Sequence, residues 1–385
     1  LKLSTTDVKD RSGLIQQLGS MDMLVCSYGV MQQEIDSLSR IHWKTIVLDE
    51  AQAIKNAETK RAKAIFTLKG DFKLITTGTP IENHLDELWS LFHFINPGLL
   101  GSQKQFSENY GNPIQKYQDA KAKKYLKTLI QPFILRRRKQ QVLESLPAKT
   151  EILKYVDLSG EEEALYEALR IKAIENIEKT QGPPAQKHIK ILSEIMKLRR
   201  VCCHPSLVFP ESTLSGSKLD AFLELIEELR ENNHKALVFS QFVGHLDIIK
   251  KNLDKRGIVY QYLDGSTPIK DRKTRVDAFQ SGQGDLFLIS LKAGGVGLNL
   301  TAADFVIHMD PWWNPAVEDQ ASDRAHRIGQ LRPVTIYRLI TRNSIEEKIL
   351  KLHHDKRSLS DDLLEGSDLS GKISAKELIS LITRN

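Results

Sequence analysis

The chain has 385 residues, 41% of them apolar and 27% charged, with a formal net charge of +6. That length fits two domains, and the composition is that of an ordinary globular protein. No apolar run is long enough to span a bilayer, and the polar opening from Leu1 lacks the charged-then-apolar order of a secretory signal.

The predicted elements alternate. Asp22–Tyr28 and Lys44–Glu50 read as strands, Thr59–Lys69 as a helix, Phe72–Gly78 as a strand, and Asn83–Ile95 as a helix with Leu85, Leu88, Trp89 and Phe92 on one stripe. Strand–helix alternation predicts a mostly parallel sheet. The middle is helical. Ser159 followed by Glu162 is a capping-box signal, "QGPP" at 181–184 breaks that helix, and a second runs through His188–Val201. Alternation resumes after Ser215–Ser217, with strands at 235–240, 259–264, 285–290, 304–310 and 334–340. Pro315 opens a helix predicted to reach Arg327, and the tail from Ser344 reads as a charged helix with a looser end.

The three cysteines, Cys26, Cys202 and Cys203, are too few and too badly spaced for a disulfide framework or a zinc site. "CCH" at Cys202–His204 reads as packed thiols, and a reducing, intracellular compartment fits best. Charge is uneven. Between Lys116 and Lys139 nine basic residues face one acid, Asp119, a segment of +8 that leaves −2 for the remainder. A solvated helix face and a polyanion contact explain that run equally well.

Four stretches carry chemistry. "TIVLDE" reads as a buried strand, Thr45–Leu48, with Asp49 and Glu50 at its carboxyl end. Such acids suit a nucleotide site, one holding Mg²⁺ and the next orienting an attacking water. "TTGTPIEN" (Thr76–Asn83) puts Thr77 and Thr79 at the same sheet edge, with a tight turn at Gly78 and Pro80. An ordinary strand-to-helix loop also accounts for it. "ISLKAGGVGLNLT" (Ile289–Thr301) offers glycines for close backbone approach, Gly295 and Gly297 among them, and the charge of Lys292. On the helix from Pro315, Gln320, Arg324 and Arg327 fall at i, i+4 and i+7, so they are predicted to share one face suited to a polyphosphate.

The ordered set "DEAQ", "TGTPIEN", "FILRRRKQQVLESLPAK", "LRRVCCHP", "ALVFSQF", "LDGSTP", "KAGGVGLNLTAADFVIHMDPWWNP" and "QASDRAHRIGQ" resembles the Swi/Snf-type ATPases, double-stranded-DNA translocases of the superfamily-two helicase class. It covers nearly the whole chain. The resemblance implies an α/β fold of two RecA-like parallel-sheet lobes, the first incomplete, with helical insertions. The expected division is lobe one over 1–131, a basic linker over 132–150, a helical insertion over 151–214, lobe two over 215–345 and a helical extension over 346–385.

It further implies ATP and Mg²⁺ as cofactors, with Asp49 on the metal, Glu50 on the water, and Arg324 and Arg327 as arginine fingers joined by Gln320. Gly78 and Thr79 would relay nucleotide state, and Gly295 and Gly297 would couple it. Ser240, Gln241, Gly265, Ser266 and Lys292 would contact DNA, with Trp312 and Trp313 coupling closure to DNA movement. Arg136 and Arg137 of the basic run join that surface. The expected partners are duplex DNA and protein–DNA complexes, with no membrane, in a bacterial or archaeal cytoplasm or else a nucleus. The family's phosphate loop, G-x-x-x-x-G-K-[ST], has no match here. The chain is therefore expected to be a fragment, unable to hydrolyse ATP alone. A strand-separating helicase and a catalytically silent DNA-binding module are the alternatives.

Overall fold

The structure, a computed structural model, describes residues 11–78, 85–137, 146–180, 183–294, 297–352 and 375–383. The chain divides into two compact units, the second beginning at Leu135.

In the first unit, β1 (His42–Leu48) and β2 (Lys69–Ile75) pair in parallel, from His42 opposite Lys69 to Leu48 opposite Ile75. One face of this pair is packed. Ile46 and Leu48 join Ala51, Ile54, Ile65, Leu91 and Phe94 in a core. The helix Lys60–Phe66 starts where Thr59 accepts the Ala62 N–H at 3.2 Å, an N-cap that fixes the turn out of the preceding loop. The helix Leu85–Ile95 is buried along most of its length and joins that core to a second one around Leu88, Phe92, Phe106 and Leu126.

Two expectations fail in this unit. Thr45–Leu48 is not buried on both sides, since Val47 is 55% exposed and Leu74 opposite it on β2 is 43% exposed. The described residues cover one face of the two strands only. Asp22–Tyr28 is not a strand either, having only a single bridge at Val25. The Ser27 hydroxyl caps the helix Tyr28–Gln33 by accepting from Val30 N–H, which converts the end of the apolar run into a helix start.

The second unit holds a six-stranded, all-parallel sheet in the order β3-β8-β7-β4-β6-β5. Its strands are β3 (Lys149–Val156), β4 (Ala236–Ser240), β5 (Tyr260–Leu263), β6 (Leu286–Ser290), β7 (Phe305–His308) and β8 (Val334–Thr341). Every residue of β4 and β6 is buried, as expected where both faces of a parallel sheet are covered. Leu237, Phe239, Phe287 and Ile289 pack on one face, and Val238, Leu286, Leu288 and Ile307 on the other.

β3 was not among the predicted strands. It pairs with β8 along its whole length, so residues 149–150, read as linker, and 151–156, read as helical insertion, belong to the sheet. It is an edge strand with mostly exposed residues, which gave it no buried apolar pattern to read. The helical insertion itself is two helices, Gly160–Glu178 and Pro184–Cys203. The capping box at Ser159 and Glu162 is present, and Glu162 also accepts the Ser217 N–H at 3.0 Å. These helices share a core with Ile345, Ile349, Leu378 and Leu381 near the end of the chain.

Candidate functional site

Asp49 and Glu50 stand just past the end of β1, beside the end of β2. The chain turns sharply there. Glu50 is held in the left-handed region at φ 51°, a strained conformation for a residue with a side chain. Neighbouring bonds enforce it: Thr76 N–H donates to Leu48 carbonyl at 2.8 Å, and Ala51 N–H to Thr76 carbonyl at 3.0 Å. Strain kept in place by surrounding structure is a feature of functional turns.

The two carboxylates are held differently. Asp49 Oδ1 accepts from the Thr76 hydroxyl at 2.6 Å and from Glu50 N–H at 2.9 Å. Its Oδ2 has no partner among the described residues, which leaves a fixed, open oxygen fit for a hard cation such as Mg²⁺. Glu50 Oε2 accepts from Gln52 Nε2, and Gln52 Oε1 in turn accepts from the Thr77 hydroxyl at 2.9 Å. "DEAQ" and "TTG" thus form one network. Tyr28 closes it by donating to the Asp49 carbonyl at 2.8 Å. Burial and the nearby Asp49 push the Tyr28 phenol up to about 12, so it remains a donor. Tyr28 carried no sequence signal for this role. Gly78 is exposed at the end of the network, and Thr79 lies outside the described residues.

In the second unit the connections leave β4 and β7 in opposite directions along the sheet, β4 toward β5 and β7 toward β8. Ligands of open α/β sheets bind outside the carboxyl ends of the strands at such a switch. Gln241 follows β4, Lys292 follows β6, and Asp310, Trp312 and Trp313 follow β7. Gln241, Lys292 and Trp312 meet around a cavity of about 660 Å³, with Arg200 and Phe242 also on its wall.

Arg199 organises these loops, a role the sequence reading did not assign. It is 1% exposed, donates to Gln241 Oε1 at 3.1 Å and to the Pro311 carbonyl, and lies 5.2 Å from the Trp313 ring centroid and 5.8 Å from that of Trp312. Ser240, expected on a DNA-facing surface, is 1% exposed and donates to Asp310 instead. It braces the loop from inside. Gly265 and Ser266 are exposed. Their turn is built on Asp264, whose Oδ1 accepts the Ser266 and Thr267 N–H groups at 2.9 and 3.1 Å. Burial would raise the Asp264 carboxyl, but hydrogen bonds from Ser266, Tyr262 and Thr267 outweigh it and hold it down at about 2.

The expectation of one helix face for Gln320, Arg324 and Arg327 is not met. The helix runs only from Pro315 to Ser322. Beyond it the Arg324 carbonyl accepts from Leu300 N–H at 3.0 Å and the Ala325 carbonyl from Gln330 Nε2 at 3.1 Å. There the Arg324 and Ala325 N–H groups donate three residues back, to the Ala321 and Ser322 carbonyls at 3.1 Å each, and the chain tightens into turns. Arg324 is buried and Arg327 exposed. Gln330 pins the turns by donating also to the Thr301 and Ala303 carbonyls, and Gly329 supplies φ +100°. The helix below is anchored by Glu318, 0% exposed, which accepts from Trp312 N–H and from Arg338 Nε at 2.9 Å.

Gly297 is exposed with φ +44°, and Gly295 lies outside the described residues. Of the basic run, Lys121, Lys124, Arg136 and Arg137 are exposed and Lys123 is buried, while Arg138 and Lys139 lie outside the described residues. Among the described residues no helix is long and apolar enough to cross a membrane.

Comparison with known proteins adds a consistent set of likenesses. The profile of the SNF2-related domain matches residues 7–207, and that of the helicase conserved C-terminal domain matches residues 217–329. The chain is 42% identical over 370 residues to the putative ATP-dependent helicase/translocase YwqA of Bacillus subtilis, covering 94% of this chain and 40% of that protein. It is 34% identical over 382 residues to the ISWI chromatin-remodeling complex ATPase ISW1 of Saccharomyces cerevisiae, covering 95% of this chain and 34% of that protein. The SWI2/SNF2 ATPase core of Sulfolobus solfataricus, solved in complex with dsDNA, aligns with 99% of this chain and 78% of its own, at 36% identity and a TM-score of 0.51. The chain thus spans 40% or less of the length of these curated relatives.

Proposed function

Since the chain belongs to the SNF2-related family of helicase-like ATPases, we propose that the whole protein hydrolyses ATP when bound to duplex DNA and uses the cycle to move along it, displacing or remodelling bound protein. The observation that carries this reading is the turn after β1. It sets a fixed, open carboxylate oxygen of Asp49 beside Glu50 at the ends of two adjacent parallel strands. Asp49 holds Mg²⁺ with the nucleotide, and Glu50 orients the attacking water. Arg324 and Arg327 supply positive charge to the phosphoryl group in the transition state, with Gln320 nearby, and Gly78, Thr79, Gly295 and Gly297 transmit the nucleotide state. Gln241, Gly265, Ser266, Lys292, Trp312 and Trp313 form the DNA surface, braced by Ser240 and extended by Arg136 and Arg137. Contacts of this kind are mainly to phosphates, so binding is salt-sensitive and weakly selective for sequence. The protein acts where the DNA lies, in a nucleoid or a nucleus.

The reading assigns no phosphate cradle to the residues of this chain. Two observations support that: no G-x-x-x-x-G-K-[ST] match occurs in the sequence, and the apolar face of Val47, Phe72 and Leu74 is uncovered by the described residues. Phosphate release with and without duplex DNA tests the reading. The 385-residue chain is expected to show no meaningful turnover, and the whole protein a DNA-stimulated rate abolished by Glu50→Gln. DNA-stimulated release by the chain alone would contradict the need for a further cradle. A whole protein indifferent to DNA would favour a nucleotidase of another kind.

A further inference from the structure

Among the described residues, one group of metal-ligating side chains comes together. The donor atoms of Cys203, His245 and Asp310 lie within 4.8 Å of one another. They come from separate elements: the last turn of the helix Pro184–Cys203, the first turn of the helix Val243–Lys255, and the loop after β7. Cys203 and His245 are 0% exposed and Asp310 is 3% exposed. Neither ring nitrogen of His245 has a hydrogen-bond partner. A buried imidazole with both nitrogens unbonded is a costly arrangement, and such a group asks for an explanation. Burial and the charges of Lys218 and His204 push His245 down to about 3, so its ring is neutral near pH 7. Neutral imidazole is the form that binds metal ions.

We propose that Cys203, His245 and Asp310 form a structural zinc site, with the Ser240 hydroxyl or a water as the fourth donor. One sulfur, one imidazole nitrogen and one carboxylate oxygen suit zinc better than magnesium or calcium, which take oxygen. Tetrahedral donors at zinc-ligand distances stand about 3.5 Å apart, so the group needs to close by about an ångström. Ser240 already donates to Asp310, which keeps its oxygen beside that carboxylate. Two cations lie near: Lys218 pairs with Glu346, while Arg199, 4.0 Å from Asp310, would share that carboxylate with the metal and is held besides by Gln241 and the Pro311 carbonyl. Zinc displaces the Cys203 thiol proton to water, and the resulting thiolate and Asp310 balance its two charges. The adjacent "CCH" motif misleads here. His204 faces Ser215 and Ser206 instead, and the ligands are gathered from across the fold. The site would clamp the helical insertion to the loops bearing Gln241 and Trp312.

The test uses Co²⁺ and Zn²⁺ on the chelator-stripped 385-residue chain. Stoichiometric Co²⁺ is expected to give a thiolate-to-cobalt charge-transfer band and the intense visible bands of tetrahedral cobalt, both displaced by Zn²⁺. The Cys202→Ala chain should keep these bands. Cys203→Ala and His245→Leu should lower retained zinc to below about a tenth of an equivalent. Absence of a thiolate band in the unmodified chain overturns the proposal even if the variants do not fold. So does a band lost with Cys202→Ala but kept with Cys203→Ala.

Discussion

The Thr76 hydroxyl donates a 2.6 Å hydrogen bond to Oδ1 of Asp49, so the ends of β1 and β2 are tied through the carboxylate assigned to the metal. One oxygen is spent on holding the side chain still, and the other is left open. Thr76→Val keeps the shape of the side chain and removes the bond. In the whole protein it is expected to raise the Mg²⁺ concentration for half-maximal ATPase by roughly tenfold, the usual scale for a partner that orients a metal ligand. An unchanged Mg²⁺ requirement would remove Asp49 from the metal.

The two arginines assigned to the phosphate differ in burial, and they should differ in effect. Arg327 is exposed, so Arg327→Ala in the whole protein should lower kcat by about 10³-fold or more with little change in melting temperature. Arg324 is buried at 7% exposure, and Arg324→Ala should cost stability as well as rate. Paired ATPase and thermal-melting measurements separate these outcomes. A normal kcat with a raised KM for Arg327→Ala would make it a ground-state binder.

Lys218 and Glu346, 128 positions apart, form an ion pair with side chains 1% and 0% exposed. Glu346 also accepts the Thr341 N–H at 2.8 Å. Removing one partner leaves a buried charge. Lys218→Ala should destabilise the second unit by about 3–5 kcal/mol in chemical denaturation. Lys218→Met with Glu346→Leu should recover much of that loss. Equal losses for the single and double variants would show that packing, not charge, dominates there.

His245 also predicts a pH dependence for the metal-free chain. Its ordinary value is about 6.5 in an unfolded chain, and the fold pushes it down to about 3. Between those values the unfolded state binds the extra proton, so stability falls as pH falls below about 6.5. The loss at pH 5 relative to pH 7.5 is about 2 kcal/mol from this group alone. His245→Leu should flatten that part of the denaturation profile in chelator. An unaltered slope would mean that His245 is not the titrating group.

Much of this was legible in the sequence where the signal is local. Asp49 and Glu50 follow a run of β-branched and apolar residues, and that run is β1. The capping box at Ser159 and Glu162 is a four-residue pattern, and it forms. What escaped depends on distant partners. β3 has an exposed edge pattern and is a strand only because β8 lies beside it. The helix from Pro315 stops at Ser322, where the Arg324 and Ala325 N–H groups turn to carbonyls three residues back and the distant Leu300 and Gln330 hold the turns that follow. Arg199 looked like one more basic residue, but its roles lie with Gln241, Pro311 and two tryptophans, none adjacent in sequence. Ser240 ends a predicted strand and was expected to face DNA, but it is buried with the rest of β4 and donates to Asp310, 70 positions away.

The central claim is movement along duplex DNA driven by ATP, and displacement of a third strand from a DNA triplex measures it most directly. With the whole protein, ATP and Mg²⁺, the third strand should be released when an unbroken duplex leads to it, while the duplex itself stays paired. Glu50→Gln should abolish release without abolishing DNA binding. Separation of the duplex strands would make the protein a helicase of the unwinding kind. Release that proceeds without ATP, or that survives Glu50→Gln, would contradict the account.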